Sequence, residues 1–356
     1  MTVSIKTRST KVKQPEAKIG IAVLILAHDE AGVIGNTVLS IMPALLPEDA
    51  IFVVADNCTD ETVKRARSAG AQVIIRSTGN AKGKGEALAW FLKEHVDSLK
   101  KYGTFVILDA DSKIRAGFLR TIRENLTRGN QAMQCFVNPV HDDSPISQLA
   151  AFSDLLEQTI SDRLRSKLGW SVRLRGTGMV IHSELLFGLS DRLQTDVEDI
   201  ALTLLLTAQC IPIGQVEAAQ VYDEKPVTNH AATQQRARWF RGQCKALWQY
   251  RQDIFKILLK GPSGWALLSS LFLRPKWLVF VISSLLAIIL SHWTWIGFIF
   301  WIYPLVTLIE VSAGLFQTPE RRVYMHALLY TPVFVWMWLH SLVLALHQVP
   351  WYRSRE

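Results

Sequence analysis

Two aspartates, Asp109 and Asp111, flank Ala110 directly after the apolar run Thr104-Phe105-Val106-Ile107-Leu108. Carboxylates at i and i+2, just past a buried strand, can share one hard divalent cation that stays partly open and bridges to phosphate oxygens. D-x-D occurs in many loops, so its meaning rests on what else the chain carries. A second acidic group, Thr195-Asp196-Val197-Glu198-Asp199, opens an apolar helix over Ile200 to Ala208. Asp196 suits an N-cap there, and Glu198 and Asp199 fall in the first turn, where carboxylates are favourable without any catalytic role. A third group, Gln235-Arg236-Ala237-Arg238-Trp239, lies on a helix expected from about Thr233 to Arg251. Gln235, Arg238 and Trp239 stand at i, i+3 and i+4, hence on one helical face. An amide, a bidentate anion-binding fork and a flat apolar plate suit a phosphate beside a sugar ring. The same residues also suit an interfacial helix anchored at lipid headgroups.

Glycine-rich segments add to these groups. Gly79-Asn80-Ala81-Lys82-Gly83-Lys84-Gly85 lacks the G-x-x-x-x-G-K-[ST] order of a P-loop. It reads either as two lysines and backbone N–H groups brought to a diphosphate or as a solvated turn. Gly176-Thr177-Gly178 follows Arg173 and Arg175, and its glycines permit close backbone approach to a ligand.

The elements that must position these groups are legible as runs. Ile19 to Ala27, Ala50 to Ala55, Gln72 to Arg76 and Thr104 to Leu108 read as strands. Asn36 to Leu46, Asp60 to Ala69 (with Asp60 as N-cap) and Glu86 to Leu99 read as helices between them, and Gln148 to Leu168 as a later one. That alternation predicts a mostly parallel sheet with crossover helices on its faces. Ligands in such sheets sit beyond the C-terminal ends of the strands, where Asp56 and Asp109 both fall. No G-x-G-x-x-G follows the first strand, where His28-Asp29-Glu30 stands instead, which argues against a dinucleotide fold.

The chain of 356 residues exceeds one ordinary domain, and Trp, Phe, Leu and Ile crowd into its last part. Trp277 to Leu290 and Ile296 to Phe316 read as an apolar helical hairpin, with Arg274 and Lys276 before it and Arg321 and Arg322 after it. Tyr324 to Val349 is a third apolar stretch, kinked at Pro332, that either spans the membrane or lies at its interface. The polar N-terminus, Met1 to Lys18, has no apolar signal-peptide core, so the catalytic part is expected to stay in the cytoplasm. The net charge of +8 comes without a nucleic-acid-binding signature and fits anionic lipid headgroups better. Cys58, Cys135, Cys210 and Cys244 form no C-x-x-C pair, so neither zinc nor a disulfide framework is indicated.

Taken in order, these groups resemble the D, D-x-D, [E/T]-D, Q-x-x-R-W pattern of the membrane-bound inverting family-2 glycosyltransferases. That group includes cellulose, chitin and hyaluronan synthases and ceramide glucosyltransferase-like enzymes. The resemblance implies that Asp56 contacts a nucleotide base and that Lys82 and Lys84, in a G-K-x-x-A-L-like stretch, line the nucleotide pocket. It further implies that Asp109 and Asp111 hold Mg2+ or Mn2+ with the donor diphosphate. Gly176-Thr177-Gly178 would lie near donor sugar and acceptor, and Asp199 would be the general base. Gln235, Arg238 and Trp239 would serve catalysis, Arg238 at the diphosphate and Trp239 at the acceptor. Trp351-Tyr352-Arg353-Ser354-Arg355 resembles a W-x-[KR]-T-x-R tail, with Ser354 in place of Thr.

The implied fold is α/β of the GT-A type, with a mostly parallel sheet and helices on both faces, followed by interfacial helices and C-terminal transmembrane helices. The implied organisation is a basic tail over 1–18, a cytoplasmic catalytic domain over 19–225, interfacial helices over 226–275, a membrane region of two or three helices over 276–347 and a tail over 348–356. A UDP-sugar of the glucose or N-acetylglucosamine type would be the donor, and a lipid-linked or polysaccharide chain the acceptor, at the inner face of the membrane. Anionic membrane lipids are the expected surface partner, nucleic acid is not expected, and so small a membrane region would need a homo-oligomer to export a polymer. A polyprenyl-phosphate glycosyltransferase is the runner-up, against which Q-x-x-R-W argues. A non-catalytic membrane scaffold fits poorly with intact Asp109, Asp111, Asp199, Arg238 and Trp239.

Overall fold

The computed structural model describes residues 20–78, 83–226, 228–273, 276–293 and 295–346. Lys82, Arg274, the basic N-terminal tail and the tail motif from Trp351 to Arg355 lie outside the described residues. Eight strands form one sheet: β1 (Gly20–Ala27), β2 (Ala50–Asp56), β3 (Gln72–Arg76), β4 (Tyr102–Asp109), β5 (Lys113–Ile114), β6 (Ala132–Val140), β7 (Met179–His182) and β8 (Ile213–Glu224). Their order is β3-β2-β1-β4-β7-β6-β8-β5.

The apolar runs become central strands because both faces of the sheet are covered, which favours continuous rather than alternating hydrophobicity. Ala22, Leu24 and Leu26 of β1 point into one core, with the helices Lys84–Glu94 and Glu198–Ala208. Ile21, Val23 and Ile25 point into the other, with the helices Ile34–Ile41 and Phe118–Thr127.

The sheet is mixed, with the expected parallel pairing in four of its seven strand pairs: β3, β2, β1 and β4 are parallel neighbours and β6 runs parallel to β8, whereas β7 runs antiparallel to β4 and β6, and β5 antiparallel to β8. The antiparallel strands position the site. Met179 of β7 pairs with Ile107 of β4, which sets the preceding Gly176-Thr177-Gly178 turn beside Asp109. Lys113 of β5 pairs with Tyr222 of β8, which sets Asp111 beside Asp223.

Two helix starts also differ from expectation. The acidic helix runs Glu198–Ala208 and has no side-chain cap; Asp196 pairs instead with Lys245 at 2.5 Å. The helix bearing Gln235, Arg238 and Trp239 begins earlier than expected, at Asn229, because the Thr228 hydroxyl accepts the Ala231 N–H at 3.2 Å and caps it.

In the C-terminal part, Gly297–Gln317 is, among the described residues, the one unbroken helix long and apolar enough to cross a membrane. Two bent pairs, Pro262–Phe272 with Lys276–Ser291 (109°) and Arg321–Leu328 with Thr331–Ala345 (64°), bring the number to three if each counts as one span. The second bend falls just before Pro332, where the sequence places a kink. These helices close on the sheet-bearing part through a third core that joins Leu149, Phe152 and Leu156 to Trp277, Val311, Tyr324 and Phe334.

Candidate active site

A cavity of about 350 Å3 lies at the C-terminal ends of β1, β2 and β4 and is roofed by the helix Asn229–Gln249. Asp56, Lys84, Asp109, Asp111, Asp199, Gln235, Arg238 and Trp239 all line it, as do Gly176 and Thr177.

At the β1–β2 end, Asp56 is buried and fixed on three sides. Arg76 Nη1 donates to its Oδ1 at 2.8 Å, Asn57 Nδ2 donates to the same oxygen at 2.8 Å, and its carbonyl oxygen lies 2.6 Å from His28 Nδ1. Arg76, itself buried, also reaches Glu86 at 3.3 Å. Arg76 therefore locks the end of β2 to the start of the helix Lys84–Glu94, a role sequence reading missed.

Lys84 forms a short ion pair with Asp109. Burial works against the charge on Lys84, but Asp109 and Glu198 outweigh it and hold the ammonium above its ordinary range. The next residue shows why a glycine is needed. A Cβ on Gly85 would sit 2.5 Å from the carbonyl oxygens of both Leu193 and Thr195. Lys84 and Gly85 are thus seated against the loop leading to Glu198 and are not part of a solvated turn.

The D-x-D residues are positioned by the turn before β7. The Asp109 N–H donates to Thr177 Oγ1 at 3.2 Å, and the Thr177 and Ser112 hydroxyls share a hydrogen bond of 2.7 Å. Gly176 has φ of +82°, a left-handed conformation that side chains rarely adopt. A Cβ there would lie 3.9 Å from Glu198 Oε1 and 4.0 Å from Asp109 Oδ2, so the glycine leaves open the space between the two acidic motifs.

Asp109, Asp111 and Asp223 each offer a carboxylate oxygen, all within 4.8 Å of one another. Three hard oxygen donors on a partly open surface fit Mg2+ or Mn2+ and leave coordination positions for phosphate oxygens. Sequence reading missed Asp223, since nothing in Tyr222-Asp223-Glu224 shows that β5 will pair it beside Asp111.

Glu198 and Asp199 differ in setting. Glu198 is buried, and its carboxyl is pushed well above the ordinary range by that burial; Lys84 opposes the shift, and the Asp199 and Asp109 carboxylates add to it. Asp199 is half-buried, with Oδ1 accepting the Ile200 N–H at 2.8 Å. Arg238 enters from the roof. Burial draws its guanidinium below the ordinary value, while Glu198, Asp109 and Asp196 favour its charge.

The cavity continues past Gly176 to Asp154, Glu157, Arg175, Lys225, Lys276 and Trp277, and ends at the Phe334 and Trp338 rings. None of these was legible as a site residue, because long-range packing of the C-terminal helices assembles this wall.

The profile described as "Glycosyltransferase like family 2" matches residues 17–242, more than half the chain, and the chain belongs to that family. Among solved structures, the chain is similar to a mannosyltransferase from Pyrobaculum calidifontis in complex with GDP-Man and Mn2+, at 16% identity and a TM-score of 0.47, covering 92% of this chain and 86% of that one. It is also similar to glucosyl-3-phosphoglycerate synthase from Mycobacterium tuberculosis in complex with Mn2+, UDP-glucose and phosphoglyceric acid, at 24% identity and a TM-score of 0.37, covering 56% and 69%. No curated protein matches the chain.

Proposed function

We propose that this protein is an inverting glycosyltransferase that moves a sugar from a UDP-sugar to a membrane-held acceptor at the cytoplasmic face of a membrane. The observation that carries this reading is the convergence of Asp56, Lys84, Asp109, Asp111, Asp199, Arg238 and Trp239 on one cavity in a family-2 chain.

Asp56 and its Arg76 clamp form the end of the cavity suited to the base. Lys84 and Arg238 bring positive charge to the place where the diphosphate leaves, the stabilisation such a departure needs. A divalent ion, when bound by Asp109, Asp111 and Asp223, supplies further Lewis-acid stabilisation of that charge. Asp199 accepts the proton of the acceptor hydroxyl as its oxygen attacks C1 of the sugar and the UDP departs from the opposite face; this requires an approach of roughly 3 Å. No covalent enzyme nucleophile takes part. Trp239 offers its ring to the acceptor. The apolar surface of the C-terminal helices supports the membrane placement, since exposed Trp293, Phe298, Ile309 and Phe316 suit lipid rather than water.

The test is transfer by purified full-length protein in detergent, with a panel of radiolabelled nucleotide sugars, Mg2+ or Mn2+ and a lipid extract. Label should move from a UDP-sugar to the lipid phase, and NMR of the product should show the inverted anomer. A retained anomer, or no transfer from any nucleotide sugar, would sink the reading.

A further inference from the structure

The turn that holds the D-x-D residues is itself held by two anchors. Gln134 of β6 fixes its backbone: Oε1 accepts the Arg175 N–H and Nε2 donates to the Thr177 carbonyl, both at 2.9 Å. The Arg175 side chain, 5% exposed, forms a short ion pair with Asp162 and stands 3.8 Å from Glu157. Both carboxylates belong to Glu157–Asp162, a π-helical turn between the helices Pro145–Leu156 and Arg163–Lys167. In an α-helix, residues five apart point about 140° away from each other. The wider π-turn, which closes on the fifth residue, brings them to one side, and such turns collect at functional sites.

This π-turn is also the seat of a C-terminal helix. Glu310, Gly314 and Gln317 stand at i, i+4 and i+7 of the helix Ile302–Gln317 and so form one stripe. The stripe meets the π-turn and both of its flanks. Ser161 donates to Glu310 Oε1 at 2.9 Å, Arg163 donates to Gln317 Oε1 at 3.3 Å, and a Cβ on Gly314 would sit 2.1 Å from Leu156 Cδ2. Lys276 donates to the other oxygen of Glu310 at 2.9 Å. A carboxylate is costly in so apolar a helix, and a half-buried ion pair contributes little net stability once desolvation is counted. What the Glu310 contacts do fix is the register of the helix on the π-turn.

We propose that Glu310, which does not line the cavity, is a positioning residue for Asp109. It acts through Ser161 on the π-turn, through Asp162 on Arg175, and through the Gly176-Thr177 turn on the Asp109 N–H, which Thr177 Oγ1 accepts at 3.2 Å. Seating of the C-terminal helix thereby sets the geometry of the D-x-D pair, while Gln134 keeps the turn folded when the helix shifts. The inference rests on the glycosyl-transfer reading above, which supplies the role of Asp109.

The experiment uses the full chain in detergent. Hydrogen exchange of the segments 105–112 and 174–179 is a donor-free readout, measured beside UDP affinity in Mn2+ and steady-state kinetics. Glu310→Ala should speed exchange in both segments at least about threefold, weaken metal-dependent UDP binding about tenfold and leave the acceptor KM unchanged. Glu310→Gln, which keeps a hydrogen-bonding group for Ser161, should recover most of both losses. Gly314→Ala, which drives a Cβ into Leu156 without removing a charge, should match Glu310→Ala, and adding Leu156→Ala should restore it. Leu308→Ala, on the exposed side of the same helix, should change nothing. Wild-type exchange in Glu310→Ala and Gly314→Ala overturns the inference, as does faster exchange with unaltered UDP affinity. So does a Glu310→Gln no better than Glu310→Ala, or a loss in Leu308→Ala as large as theirs, since either marks general loosening. A wild-type protein that transfers no sugar, with exchange altered as expected in the variants, would instead overturn the glycosyl-transfer reading and leave the coupling standing.

Discussion

Gly242 lies directly against Val197: a Cβ on Gly242 would sit 2.3 Å from Val197 Cγ1. Val197 immediately precedes Glu198 and Asp199, and Gly242 follows Arg238 by one helical turn, so this contact sets the spacing between the acidic helix and the roof. A β-branched side chain has few rotamers into which to retreat. Gly242→Ala should therefore cost about 1–3 kcal/mol through overpacking and lower turnover by displacing Asp199. Adding Val197→Ala should restore most of both. Thermal unfolding and steady-state rates of the single and double variants check this, and wild-type behaviour of Gly242→Ala would show that the contact sets nothing.

The carboxylate group makes a second prediction. Asp109→Ala or Asp111→Ala should abolish metal-dependent UDP binding while leaving the fold intact. Asp223→Asn should weaken Mn2+ binding by about tenfold, since Lys225 and the β5–β8 pairing still hold the residue in place. Calorimetry with UDP and Mn2+ or Mg2+ measures all three. Unchanged affinity in the first two variants would remove the metal from the account, and an unchanged Asp223→Asn would return that residue to a purely structural bond with Lys225.

Much of the strand-end half of the cavity was legible in the sequence for a physical reason. A strand buried on both faces must be apolar throughout, so β1, β2 and β4 announce themselves, and ligand-binding carboxylates follow them immediately in the chain. The rest depends on pairings that leave no local trace. Asp223 reaches Asp111 only because a two-residue strand, Lys113–Ile114, pairs antiparallel with β8. Asp196 looks like a helix cap until Lys245, 49 residues later, is brought to it. The far wall of the cavity joins Ser153 to Trp277 across 124 residues, and no periodicity encodes that.

Asp199 is expected to serve chemistry rather than donor binding. Asp199→Asn keeps the size of the side chain and the oxygen that accepts the Ile200 N–H, but loses the base. Turnover should fall by at least about 100-fold, with UDP affinity nearly unchanged, a contrast that single-turnover kinetics and calorimetry together resolve. Near-normal turnover would leave Asp199 as a residue of the first helical turn and nothing more.

In the proposed mechanism the roof separates donor from acceptor. Arg238 sits near Glu198 and Asp109, whereas Trp239, the next residue, presents a ring to the same cavity. Arg238→Ala should impair donor use and turnover together, and Arg238→Lys should rescue poorly, because an ammonium cannot reproduce the planar two-pronged contact of a guanidinium with a diphosphate. Trp239→Ala should raise the acceptor KM more than the donor KM. Kinetics with donor and acceptor varied separately distinguish the two. If both alanine variants keep full activity but detach from liposomes, the helix Asn229–Gln249 is a membrane anchor, and neither Arg238 nor Trp239 belongs to the catalytic apparatus.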